Sequence, residues 1–235
     1  MSRMRADRVL GLLGVLLACS PGSSGGASAP DAREADVNRS QANASYLPAV
    51  PGTRWIYAVH GDSGLGYHHA RAPQLELRLG APRELEVAVS APDDRARARV
   101  FPLEGGWLGA DYVAVTPKAV RLYAARSEEG GPLAPAVLTA DLRFDGASEW
   151  ESGAPPGTIG HLRGARSVDE SVRVPAGSYR CARFEQHESA WHATLWLAPG
   201  VGLVRLVVER RAGDAIRSET WELLEHVPPP GEGRG

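Results

Sequence analysis

Residues 185–192, Glu-Gln-His-Glu-Ser-Ala-Trp-His, are where chemistry-bearing side chains crowd most closely. The zinc-protease spelling H-E-x-x-H works because histidines at i and i+4 share a helical face, with the glutamate as base. Here His187 and His192 stand five apart, which splits them across helix faces. On an uninterrupted strand they also point opposite ways. A turn at Glu188–Ala190 is the arrangement that lets them meet across a hairpin. His68, His69 and His161 are further imidazoles, but nothing in the sequence brings them there. No metal site and no cofactor is therefore expected. Cys181 shares a strand face with Tyr179 and reads as a buried, inert thiol, because activation needs a nearby cation or helix terminus.

The run His60–Gly66, H-G-D-S-G-L-G, resembles the Gly-Asp-Ser-Gly-Gly nucleophile loop of chymotrypsin-like proteases. In that family the loop follows the histidine and aspartate segments, whereas Ser63 precedes nearly the whole domain here. An inter-strand turn is the better reading, and a hydrolase using Ser63 or a His-based metal site stands as the alternative.

The N-terminus carries the clearest signal. Arg3, Arg5 and Arg8 lead into an apolar run from Val9 to Ala18. Ten residues are too short for a hydrocarbon layer of about 30 Å, and the layout is that of a secretory signal peptide. Leu16-Leu17-Ala18-Cys19 resembles the lipobox of bacterial lipoproteins. The resemblance implies diacylglycerol on the Cys19 sulfur and an acyl chain on its amine. Each buried methylene adds about 0.8 kcal/mol of membrane affinity. Ser20 rather than Asp follows, which by the enteric sorting rule implies the outer membrane. The segment to residue 45 is Ser-, Gly- and Ala-rich with almost no large apolar residue, so it reads as a tether reaching roughly 25–30 Å.

Those candidates have to be placed by strands. From Tyr46 onward the dominant hydrophobic period is two: Trp55, Tyr57 and Val59; Leu75, Leu77 and Leu79; Leu85, Val87 and Val89. Breakers such as 91–94 and 127–132 separate these runs. The fold class is mainly β, an antiparallel bent sheet or half-barrel with little helix, and one short helical turn is allowed within 130–140. A bent sheet of this kind leaves one apolar concave face. Trp55, Tyr57, Trp191 and Trp196 are the candidates to line a groove there.

Two turns are specified by type. Pro175-Ala176-Gly177 suits a type I turn followed by a left-handed residue, and Pro199-Gly200 suits a type II turn. These turns, Gly202, and the opening Tyr46, Pro48, Gly52, Trp55 and Tyr57 resemble, in the same order, motifs of a group of uncharacterised bacterial secreted proteins and lipoproteins. That group has a Gly-x-x-Trp-x-Tyr opening, a Val-Pro-Ala-Gly hairpin and an Ala-Pro-Gly-Val-Gly-Leu-Val strand. Ser178-Tyr179 stands where Thr-Phe is usual. The resemblance implies a β half-barrel; the group has no settled activity.

The expected organisation is a signal peptide over 1–18, a lipidated N-terminus and tether over 19–45, one β-rich domain over 46–226 and a tail over 227–235. The formal net charge of −2 argues against nucleic acid as a partner. The expected protein is a non-enzymatic, lipid-anchored envelope protein facing the periplasm. Its concave face would take a hydrophobic ligand or an envelope protein, and the alternative without a ligand is a structural spacer.

Overall fold

The computed structural model describes residues 45–61, 73–88, 95–126, 134–153, 161–189, 191–213 and 215–229. Cys19, Ser63, His68 and His69 lie outside the described residues, and with them the lipidation and nucleophile expectations. The described chain is strands: β1 (Arg54–Gly61), β2 (Gln74–Leu79), β3 (Arg83–Ala88), β4 (Arg95–Trp107), β5 (Ala110–Val115), β6 (Ala119–Arg126), β7 (Ala134–Arg143), β8 (Glu149–Gly153), β9 (His161–Val174), β10 (Gly177–His187), β11 (Trp191–Ala198), β12 (Gly202–Ala212) and β13 (Ala215–Val227). The helical turn expected within 130–140 is not there over its described part, because residues from Ala134 onward pair with β6 as strand β7.

The strands form one 13-stranded sheet in the order β3-β7-β6-β5-β4-β2-β1-β13-β12-β11-β10-β9-β8. Neighbours are antiparallel except β3 and β7, which meet in parallel at Val87 and Ala136. The alternation read in the sequence is realised directly. Leu75, Leu77 and Leu79 of β2 are buried while Gln74, Glu76 and Arg78 face solvent, because successive strand side chains point to opposite faces.

The sheet curls twice. β4 is long and irregular, with a register break between Pro102 and Trp107, so its first half pairs with β3 and its second with β5. The parallel β3–β7 pairing then closes β3 through β7 into a small ring around Val87, Val100, Ala114, Tyr123 and Ala136. The rest of the sheet wraps a larger core in which Trp55, Tyr57, Trp107, Trp221 and Phe184 are the bulkiest side chains.

The second curl brings β7 back against β8 and β10, where side chains take the place of a strand ladder. The Asp141 backbone N–H donates to Gln186 Oε1 at 3.0 Å. The Trp150 indole N–H donates to the Asp141 carbonyl at 3.0 Å. Arg166 Nη1 reaches the Arg143 carbonyl at 3.2 Å. These bonds satisfy backbone groups that would otherwise be buried without a partner.

The type II turn forms as expected. The Val201 N–H donates to the Ala198 carbonyl at 3.1 Å, and Gly200 at φ 72 supplies the left-handed residue. At the other hairpin Val174 pairs with Gly177, whose φ is 140. The opening segment packs onto the 199–202 turn. The Gly200 N–H donates to the Ser45 carbonyl at 2.9 Å, and a Cβ on Gly202 would stand 2.9 Å from Leu47 Cδ1.

Trp55 and Tyr57 do not line a groove; they are core, 2 % and 0 % exposed. The Trp55 indole N–H donates to the Val201 carbonyl at 2.6 Å and the Tyr57 hydroxyl to the Leu203 carbonyl at 2.8 Å. Burial pushes the Tyr57 phenol well above its ordinary pKa, so the proton it donates is secure.

His226 stacks on Trp55 with ring centroids 5.8 Å apart. Its Nε2 is buried with no hydrogen-bond partner, and burial holds its pKa below the ordinary imidazole value. The unfolded chain protonates this group from about pH 6.5 downward, so it binds more protons than the folded chain there. Its contribution to stability is full above that pH and is lost as pH falls through the lower folded value. His226→Phe keeps a ring on Trp55 and removes the titration. The melting temperature of the variant should therefore drop less than that of the parent between about pH 7.5 and about pH 5.5. Parallel curves by circular dichroism would refute this.

Candidate functional site

The described polar side chains capable of concerted chemistry gather on the outer face of β10, β11 and β12, opposite the core. Their placement follows from register. Strand β10 ends at His187 and β11 begins at Trp191, with Glu188 and Trp191 exchanging backbone hydrogen bonds at 3.0 and 3.4 Å. The next pair, His187 with His192, is a non-hydrogen-bonded pair, in which side chains approach most closely. Their rings stack 4.2 Å apart at 6°.

Of the arrangements the sequence left open, the hairpin is the one formed. The spacing argument holds for a helix or a single strand, but a tight turn puts them face to face. Glu185, two residues before His187 on the same strand face, completes a group whose ligand atoms all lie within 4.8 Å of one another. No metal site was expected here, yet one carboxylate and two imidazoles converge. Glu209 of β12 pairs with His192 in register, its Oε2 3.6 Å from His192 Nδ1. Glu185 Oε2 lies 3.7 Å from His187 Nε2.

Glu185 is itself oriented. Its Oε1 accepts from Arg183 Nη2, and the Arg183 guanidinium lies over the Trp196 ring at 5.9 Å. Arg205 covers the same indole at 5.4 Å and reaches Glu222 at 3.7 Å. A polar network therefore runs from β13 to β10, with Trp196 held between two guanidiniums.

The titration of His187 follows from its surroundings. Burial and then the neighbouring His192 hold its pKa below the ordinary value, against the pull of Glu185. Burial and His192 thus favour the neutral ring over the charged one. Cys181 is buried, and burial followed by Glu170 pushes its thiol up to about 12. It is not a nucleophile at neutral pH.

The sequence-picked residues divide. Trp196 sits on the outer face in the network just described, not on the concave side. Trp191 is half-buried against the core at the hairpin end. Pro175, Gly177, Pro199, Gly200 and Gly202 shape turns and touch no candidate chemistry. His161 lies on β9, 3.8 Å from Glu151 on β8, and is not one of the three converging residues. Sequence reasoning missed Glu185 and Glu209; the signal available for Glu185 was its i, i+2 relation to His187, and for Glu209 there was none without the register.

No protein-family model matches the chain and no curated protein matches it. Two solved structures overlay on it. One, from Parabacteroides distasonis, is provisionally described as a lipoprotein; it shares 13% identity at TM-score 0.36, covering 78% of this chain and 99% of that one. The other, from Bacteroides fragilis, is provisionally described as an exported protein with a YmcC-like fold; it shares 14% identity at TM-score 0.35, covering 79% and 100%. At these scores the likeness carries nothing about function.

Proposed function

We propose that the chain is a lipid-anchored envelope protein, tethered through Cys19, whose β body is a non-catalytic binding module that works from its outer face. The observation that carries this reading is the use made of the two sheet faces. The concave side is consumed by its own core, with Trp55, Tyr57, Phe184 and Trp221 enclosed. The outer face of β10–β12 carries the ordered Arg, Glu, His and Trp side chains. Trp55 and Tyr57, which the half-barrel reading had lining a groove, belong to that core. The sequence of residues 1–19 supports the anchor, and Ser20 after Cys19 supports the outer membrane.

The anchor is tested by Cys19→Ala. The variant should leave the membrane fraction almost entirely, and an unchanged fraction would refute the lipid. Native mass spectrometry of the full chain from its own envelope tests the face. Mass beyond the polypeptide should be accounted for by the Cys19 acyl groups, and a co-purifying apolar molecule would return the binding site to the concave side.

A further inference from the structure

We propose that Glu185, His187 and His192 bind one divalent transition-metal ion, zinc being the test case, on the outer face of the β10–β11 hairpin. This site goes beyond the proposed module function and does not depend on the anchor.

Donor chemistry sets the choice of ion. Two imidazoles and one carboxylate suit zinc, nickel or copper, while magnesium and calcium want oxygen donors alone. Zinc bonds of about 2.0–2.2 Å to N and O in a tetrahedral site put donors about 3.3–3.6 Å apart. The three ligand atoms already lie within 4.8 Å. Closing that gap takes side-chain rotation at the outer face, with the stacked rings splaying apart around the ion.

The tautomer is prepared. Glu209 Oε2, 3.6 Å from His192 Nδ1, favours the proton on that nitrogen. The lone pair is then on Nε2, which is buried with no hydrogen-bond partner. A carboxylate behind a ligating imidazole is the usual way a protein orients a metal-binding histidine. Arg183 occupies Glu185 Oε1, leaving Oε2 on the His187 side. Among charges, Glu185 and Glu209 are balanced by Arg183 and by Arg163, the register partner of His187 on β9. With these charges offset, affinity comes from the donors, and a fourth coordination position is left to water or to a partner's side chain.

The test is isothermal titration of zinc chloride into the full chain, with magnesium chloride as control and circular dichroism to verify folding. One zinc per chain is expected, with no magnesium binding. His187→Gln, His192→Gln and Glu185→Gln should each weaken binding at least tenfold, Glu209→Gln about tenfold, and His60→Gln not at all. No saturable zinc binding by the parent chain would overturn the site. So would binding retained in the His187→Gln/His192→Gln double variant, including binding that instead disappears with His68→Gln/His69→Gln. If a variant fails to fold, imidazole nitrogen resonances of the parent chain decide. Zinc must shift those of His187 and His192, and a shift confined to other histidines refutes the assignment.

Discussion

Trp55→Ala is expected to lower the unfolding free energy by about 3–5 kcal/mol, the cost of emptying a large aromatic site in a packed core. Trp55→Phe should cost less, and mainly through one bond. The indole N–H that donates to the Val201 carbonyl disappears, leaving a part-buried acceptor unpaired at about 1–3 kcal/mol. The position carries this much because Trp55 joins distant parts of the chain. It pairs with Leu77 on β2 and His226 on β13, stacks on His226, and ties β1 to the 199–202 turn. Urea denaturation with constant m-value measures both variants. A cost near zero for Trp55→Ala would mean the core can collapse around the site, which its enclosure at 2 % exposure speaks against.

The elements most legible in the sequence are those decided by neighbours in the chain. Leu75, Leu77 and Leu79 alternate with charged or polar residues, so one face of β2 could be read directly. Pro199-Gly200 names its turn because Pro presets one dihedral and Gly supplies the positive one. Strand β7 was harder. Pro135 interrupts it and Ala-Pro-Ala-Val-Leu-Thr-Ala has no clean alternation, so its strand character comes from pairing with β6. The ring closed by Val87 and Ala136 was not legible at all, since a parallel contact between strands far apart leaves no local trace.

The candidate site shows the same division. In a hairpin, partners i and j keep a constant sum, so their separation keeps one parity, and in this hairpin it is odd: His187 meets His192, Gln186 meets Ala193. The five-residue spacing that spoils a helical zinc motif is the spacing this hairpin's register turns into a cross-strand pair. What the sequence left open was the turn, and the turn was decided by the flanking strands. The groove reading went astray for a related reason. Alternation places Trp55 and Tyr57 on an inner face, but whether an inner face is open or filled depends on how far the sheet curls.

That curl rests on the seam between β7 and β8–β10, and Gly164 is where it is most exposed to substitution. Trp150, Gly164 and Gln186 are register neighbours across β8, β9 and β10. The missing side chain at Gly164 lets the Trp150 indole and the Gln186 amide lie across the backbone and reach Asp141. A Cβ there would stand 2.3 Å from Trp150 Cε2 and 2.5 Å from Gln186 Nε2. Gly164→Ala must therefore push both groups off Asp141. Overpacking costs about 1–3 kcal/mol and each stranded backbone group a similar amount. The smaller conformational entropy of alanine in the unfolded chain offsets about 0.4–1 kcal/mol. The expected net loss is at least about 2 kcal/mol. In a Trp150→Leu background the clash with the indole is gone, so the same substitution should cost clearly less. A double-mutant cycle by urea denaturation reads this as a coupling of more than about 1 kcal/mol. Additive costs would mean that the seam is held by packing elsewhere and not by the indole lying over Gly164.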